Sequence, residues 1–189
     1  MPSNVQAASG AIPVFPGGLP WLNITADLNT QIKSGAGVLS RLVVNTVGTA
    51  STVAFYDGLS SVVTLTLASP GVVNWPAHGL AAGAAVEFTT TSALPTGLTA
   101  GTIVYVSITS LLAGSFKVAD TKAHALAGTN TINFTGSQSG VQTGWNVSNL
   151  IGTFSTTAQD SVDIGAATSL GLIAITASSG SANLTVLYN

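Results

Sequence analysis

The chain has 189 residues, of which 5% are charged, with four Lys or Arg, six Asp or Glu and a net charge of −2. Soluble domains average about 25% charged residues, so the side chains needed for acid–base catalysis, metal binding and phosphate recognition are scarce. Cysteine is absent, which excludes disulfides, thiol catalysis and zinc–thiolate sites. The small net charge favours self-association and gives no electrostatic reason to expect a nucleic-acid or membrane partner. We therefore expect a structural or interaction protein with no catalytic residue, cofactor or metal.

The first segment, residues 1–20, is rich in proline and glycine, which disfavours both helix and ladder pairing and predicts an extended arm. Four apolar side chains in or next to it are the candidate partner-binding residues: Ile12, Val14, Phe15 and Trp21. Large apolar side chains of this kind dominate binding at protein interfaces. A frayed terminus is the alternative for the arm. For Trp21 a core position is the simpler interpretation, and contact at an assembly interface is the functional alternative. The segment lacks a basic region followed by an apolar run, so we do not expect a secretory signal.

From residue 26 onward, short runs rich in Val, Thr and Leu alternate with Gly, Ser and Asn, which is typical of an all-β sandwich or barrel. The predicted strands are 38–45, 52–57, 61–67, 101–108, 115–119, 131–135, 151–155, 170–177 and 182–188. Asp57-Gly58 is a hairpin-turn signal, and 119–126 is the one stretch expected to form a helical turn or two. No apolar run reaches the length of about 18 residues that a membrane span needs.

The middle of the chain differs in composition from the two flanks. Six of the seven Tyr, His, Glu and Lys residues that follow Asp57 lie within 64–144. We interpret residues 64–144 as a small β-barrel-like or β-sandwich domain inserted into a hairpin of an outer domain. Residues 21–63 and 145–189 would form that outer domain, a β-sandwich or jelly-roll-like core, because the ends of an inserted domain tend to lie close together.

Two sets of residues point to a known class of protein. In the middle stretch they are 76–80 (PAHGL), 83–88 (GAAVEF), 94–102 (LPTGLTAGT), 105–106 (YV), 115–119 (SFKVA) and 132–136 (INFTG). In the flanks they are 32–45 (IKSGAGVLSRLVVN), 52–58 (TVAFYDG) and 182–188 (ANLTVLY). The first set resembles a module of tailed-bacteriophage structural proteins, and the second is similar to small β-sandwich proteins of phage virions.

This resemblance implies a virion structural protein, with a capsid decoration (cement) protein as the preferred function. Such a protein is made in the cytoplasm of the bacterial host, binds the outer capsid surface and stabilises the shell. The implied partners are the major capsid protein and further copies of the chain itself, as a homo-oligomer that the resemblance makes a trimer. A head or tail fibre component that binds a host surface glycan through the inserted domain is the alternative.

Two groups of polar residues were the remaining candidates for chemistry. His78 lies in a turn, where hydrogen bonding that shapes the turn is the main interpretation and an acid–base pair with Glu87 is the alternative. An enzyme of the cell-wall hydrolase type would depend on Glu87. Asp160 and Asp163 are close in sequence, but their spacing matches no calcium-binding motif. We expect a solvated turn there, with a weak calcium site as the alternative.

Overall fold

The structure is a computed structural model that describes residues 19–25, 29–47, 52–177 and 182–189. Its elements in chain order are β1 (Trp21–Ile24), β2 (Thr30–Ser34), β3 (Gly37–Thr46), β4 (Thr52–Asp57), β5 (Ser60–Thr66), β6 (Val72–Asn74), β7 (Ala85–Thr90), β8 (Val104–Val106), β9 (Ser115–Phe116), β10 (Val118–Ala119), α1 (Lys122–Ala127), β11 (Gln142–Asn146), β12 (Leu150–Ser155), β13 (Ser161–Thr168), β14 (Gly171–Ala177) and β15 (Asn183–Tyr188). The predicted all-β class is confirmed.

The chain divides into two compact units. The inserted unit is Gly58–Asn149, and the outer unit consists of the chain on either side, up to Asp57 and from Leu150. These boundaries differ from the sequence-based ones at 63/64 and 144/145. The reason is that the sequence-based boundaries cut through β5 and β11, which pair with each other and join the sheet of the inserted unit.

The outer unit is a two-sheet β-sandwich. One sheet has the strand order β1-β15-β3-β13 and the other has the order β12-β4-β14-β2, with every pairing antiparallel. Numbered within this unit alone, its eight strands are ordered 1-8-3-6 and 5-4-7-2. That order is the jelly roll, in which two Greek keys fold into a double sheet.

One hydrophobic core lies between the two sheets of the outer unit. Leu42 and Val186 contribute from the first sheet, and Phe55 and Leu172 contribute from the second, each at most 1% exposed. Side chains on a strand alternate between its two faces, so one face of each sheet supplies this core. Each fully buried side chain of this size contributes about 1.5–3 kcal/mol of transfer free energy, which makes the shared core the main force holding the sheets together.

The inserted unit is a nearly closed barrel. Its seven strands have the order β10-β8-β7-β11-β5-β6-β9. The strands at the two ends of this order, β9 and β10, are consecutive in sequence and separated only by Lys117. One stretch of chain therefore pairs with β6 on one side and with β8 on the other, which brings the two edges of the sheet together.

Large aromatic residues fill the barrel. Trp75, Phe88, Phe116 and Phe134 belong to its core and are at most 4% exposed. Two glycines make room for them: a Cβ at Gly71 would lie 2.1 Å from the Phe134 ring, and one at Gly144 would lie 2.6 Å from the Trp75 ring. Glycine is required at these two strand-associated positions because any side chain would overlap an aromatic ring.

The short helix α1 lies within the inserted unit and overlaps the stretch for which sequence predicted a helical turn. Thr121 is its N-cap and accepts a hydrogen bond from the backbone N–H of His124 at 3.2 Å, as capping hydroxyls do. Gly128 ends the helix in the left-handed conformation that glycine adopts easily. The strand predicted at 131–135 instead forms isolated bridges at Thr131, Phe134 and Thr135.

Candidate functional site

The four sequence-predicted partner-binding residues have different outcomes. Ile12, Val14 and Phe15 lie outside the described residues. Trp21 is the first residue of β1, at the edge of the first sheet of the outer unit. The structure therefore places the last member of the predicted set on a regular strand, and its neighbours can be identified from the strand register.

The alternation of β1 assigns Trp21 to the outer face of the sheet. Leu22 and Ile24 pack with the core between the sheets. Successive side chains point to opposite faces, so Trp21 and Asn23 project away from that core. Trp21 is half-buried and Asn23 is exposed. Trp21 therefore does not belong to the core against which Leu22 and Ile24 pack.

The other three strands of the sheet each carry a residue in line with Trp21. Trp21 pairs in register with Leu187 of β15, Leu187 pairs with Arg41 of β3, and Arg41 pairs with Asp163 of β13. We call Trp21, Leu187, Arg41 and Asp163 the outer row. Adjacent strands are about 4.8 Å apart, so the row crosses the sheet over roughly 14 Å.

The charged half of the outer row is a fork-shaped ion pair. Arg41 donates from Nε to Asp163 Oδ1 at 2.5 Å and from Nη2 to Oδ2 at 3.0 Å, while both side chains remain well exposed. The hydrogen bond and the charge of Arg41 lower the pKa of Asp163, and Asp163 raises the pKa of Arg41 in return. Two parallel bonds fix the guanidinium plane as well as its position.

The row next to it is uncharged and polar except for one valine. Asn23, Thr185, Val43 and Ser161 follow one another across the same four strands. Asn45, the next outward residue of β3, donates to Thr185 Oγ1 at 2.8 Å and to Asn183 Oδ1 at 3.0 Å. The outer face thus combines an aromatic ring, a leucine, one internally neutralised ion pair and hydroxyl and amide groups.

This composition suits contact with another protein. Trp and Arg are enriched among residues that dominate interface energies, and Lys and Glu are depleted. Because Arg41 and Asp163 already neutralise each other, a partner need not supply a counter-charge for either. The outer row is therefore a candidate docking surface, and three of its members were not singled out from sequence. The register between the strands brings these residues into line, and the sequence does not reveal that register.

The Asp57 carboxylate stabilises a turn, a role that the sequence did not indicate. Asp57 accepts hydrogen bonds from the backbone N–H groups of Ser169, Leu170 and Gly171 and from the Ser169 hydroxyl, at 2.8–3.2 Å. Partial burial acts to raise its pKa, but these hydrogen bonds outweigh that effect and lower the pKa below its usual value. Asp57 thus anchors the turn between β13 and β14 instead of forming a hairpin turn with Gly58, since β4 and β5 belong to different sheets.

His78 is held by backbone groups in the inserted unit. Its Nδ1 accepts from the Leu80 N–H at 2.9 Å, so Nε2 carries the proton and donates to the Leu112 carbonyl at 2.7 Å. The ring also meets Phe116 edge-on at 4.9 Å between centroids. These contacts match the turn-shaping interpretation of His78. Glu87 is buried on β7, directly across from Trp145 of β11 in the strand register.

The acidic candidates for a metal site have separate contacts. Asp163 pairs with Arg41, whereas Asp160 accepts a hydrogen bond from the N–H of Ser161 at 2.7 Å. Among the residues described, no group of three or more His, Asp or Glu side chains is arranged to hold a metal ion. In the same residues, no helix has the length and apolar character needed to cross a bilayer.

Comparison of the chain with protein-family models, with curated proteins and with solved structures found no match in any of the three.

Proposed function

We propose that this chain is a virion structural protein, a capsid decoration protein that binds the outer surface of a phage shell and stabilises it. The observation that supports this most directly is the outer row on the face of the first sheet that points away from the core of the outer unit. Jelly rolls occur in viral capsid domains, but the fold also serves unrelated functions. The proposal therefore depends on the surface composition and on the phage-like motifs of the sequence.

The proposed mechanism is adhesive. Trp21 and Leu187 bury apolar area against the major capsid protein, while Arg41, held by Asp163, donates its remaining hydrogen bonds to backbone carbonyls of that partner. The arm of residues 1–20 enters β1 directly before Trp21, so Ile12, Val14 and Phe15 are proposed to extend the same contact. Several copies acting together multiply weak contacts through avidity.

The test is occupancy on particles released from cells that carry the gene. We expect the wild-type chain to co-sediment with intact particles and to appear by electron microscopy as density on the outside of the shell. W21A and R41A should each reduce occupancy at least about tenfold, the effect of losing one interface hot spot of roughly 1.4 kcal/mol. Asn23→Ala, on the same strand but outside the outer row, is the matched control.

A chain lacking residues 1–20 tests the arm separately. Loss of occupancy with the outer row intact would support a role for the arm, and unchanged occupancy would limit the contact to the outer row. Density only on head or tail fibres, or a chain that never co-sediments with particles, would overturn the decoration proposal. Particles occupied equally by wild type and W21A would exclude the outer row as the contact.

A further inference from the structure

The outer unit has four strands at the edges of its sheets, since the part of the chain that the structure describes places β1, β13, β12 and β2 at the ends of the two strand orders. An edge strand offers unpaired backbone N–H and C=O groups to a partner. Folded proteins usually protect such edges with charges, proline, bulges or short length. The four edges differ in how well they are protected.

Three of the edges carry such protection. On β13, the register shifts between Asp163 and Ala166, with Gly165 at a φ of +65° between them, and Asp163 itself is charged. The strand β2 carries Lys33 and has five residues. The strand β1 has four residues and follows Pro20, which lacks a backbone N–H.

The fourth edge, β12, has the least protection. Its six residues, LIGTFS, include no charge and no proline. Leu150 is 56% exposed and Thr153 is exposed as well. Gly152, which has only backbone atoms, is itself partly exposed, so the backbone of the strand is accessible to a partner. The one register shift lies at its start, between Leu150 and Gly152, and leaves 152–155 regular.

We propose that β12 pairs antiparallel with β12 of a second copy of this chain, about a two-fold axis through Thr153. The second sheet of the outer unit would then continue without a break into the same sheet of the partner copy. This inference goes beyond the proposed virion function and does not depend on it.

Strand geometry supports a second copy as the occupant. Residues directly opposite each other in an antiparallel pair lie on the same face of the sheet. Gly152 and Phe154 face the core, where the Phe154 ring lies 5.9 Å from that of Phe55, and Thr153 faces outward. An axis at Thr153 sets Thr153 against its own copy and Gly152 against Phe154, so the two faces match.

Charge also favours self-pairing. A symmetric contact places every residue near its own copy or a close neighbour, so any charge on the strand would meet a like charge. The strand has none. The net charge of −2 for the whole chain adds little long-range repulsion between copies.

Cross-linking tests the axis. Because the chain has no cysteine, Thr153→Cys introduces a single thiol. A short bis-maleimide should link two such chains in solution, since opposite Cβ atoms lie about 5 Å apart. Ser161→Cys, exposed on the edge of the other sheet, should stay monomeric under the same conditions. Equal cross-linking of both variants, or none with Thr153→Cys, would overturn the proposed axis.

Sedimentation velocity tests the pairing of β12 without a cross-linking reagent. Short interfaces are weak, so the wild-type chain is measured over a series up to about 1 mM, the concentration range of a weak complex. We expect its average mass to rise toward that of a dimer. Thr153→Lys and Ser155→Lys should hold it at the monomer, and Ser161→Lys should not. Both strand variants change exposed side chains, and circular dichroism verifies their folding. A wild-type monomer throughout, or association that both variants leave intact, would refute the proposal.

Discussion

The two units differ in whether their sheets have unpaired edge strands. The inserted unit bends one stretch of chain, 115–119, so that it closes the sheet on both sides. The outer unit stacks two open sheets and leaves edge strands on each. A closed barrel has few backbone groups to offer, whereas an open sandwich offers both faces and edges. This difference fits the proposal that copies of the chain associate through the outer unit.

The cores differ in a parallel way. Four aromatic rings fill the barrel, and glycines at 71 and 144 give them space. The sandwich core contains mainly Leu, Val and Ile, and among the described residues its buried rings are those of Phe55 and Tyr188. Packing in the barrel should therefore be less tolerant of changes in volume.

The largest expected effect is the loss of a ring from either core. Phe134→Ala in the barrel and Phe55→Ala in the sandwich should each lower the free energy of unfolding by about 3–5 kcal/mol. Hydrogen exchange read by mass spectrometry locates the change: exchange should accelerate in 58–149 for the first variant and in the flanking strands for the second. Unchanged exchange in 58–149 for Phe134→Ala would contradict the assignment of that ring to the barrel core.

The next effect tests the tight packing of the barrel. Gly71→Ala should cost about 1–3 kcal/mol, because the new Cβ overlaps the buried Phe134 ring. Gly114→Ala is the control, since a Cβ there meets nothing within 4 Å. Urea unfolding compares the two. In the double variant with Phe134→Ala, the two costs should not add, and full additivity would show that Gly71 and Phe134 do not interact.

A smaller effect concerns the carboxylate that ties the β13–β14 turn. Asp57→Asn should cost about 1 kcal/mol, a value reduced because the group is partly exposed. The pKa of Asp57 is lower in the folded state, so its stabilisation is complete above the unfolded-state pKa and is lost as the pH falls through the folded-state pKa. Thermal melts from neutral to acid pH should show a shallower loss for Asp57→Asn than for wild type.

The smallest effect compares an exposed polar contact in each unit, the Arg41–Asp163 ion pair and the hydrogen bond between His124 and Asp120. Exposed pairs contribute little to stability, so Asp163→Asn and Asp120→Asn should leave the melting temperature almost unchanged. Calorimetry at low and high salt is the measurement, since salt screens surface charges. A drop for Asp163→Asn as large as that for Gly71→Ala would mean that the outer row stabilises the fold itself.

Sequence predicted best those strands whose own residues favour β structure. The strands β3, β4 and β15 are rich in Val, Leu and aromatic residues, and their predicted spans agree with the structure to within one or two residues. The strands β7 and β11 were missed because they contain a buried Glu87 and Gly144. Their strand state depends on closure of the barrel and on the volume of Trp75, which are tertiary effects.

The site was predicted only in part, for a similar reason. Trp21 was predicted as a contact residue because it is large and apolar and follows a proline-rich segment. Leu187 and Asp163 reach the same face through strands more than 100 residues away in sequence, and the Arg41–Asp163 bond spans 122 residues. Short strands of similar composition allow many registers, so the row becomes visible only when the sheet is assembled.

The pairing of Tyr56 with Leu150 has a consequence for the history and the use of this protein. These residues are direct partners in the sheet, although the whole inserted unit separates them in sequence. Partners in an antiparallel pair lie about 5 Å apart at Cα, so the barrel enters and leaves the jelly roll through a gap that a two-residue turn would bridge. A gene encoding the jelly roll could acquire, lose or exchange such a cassette without altering its strand order. The same gap is a natural position at which to display a foreign domain.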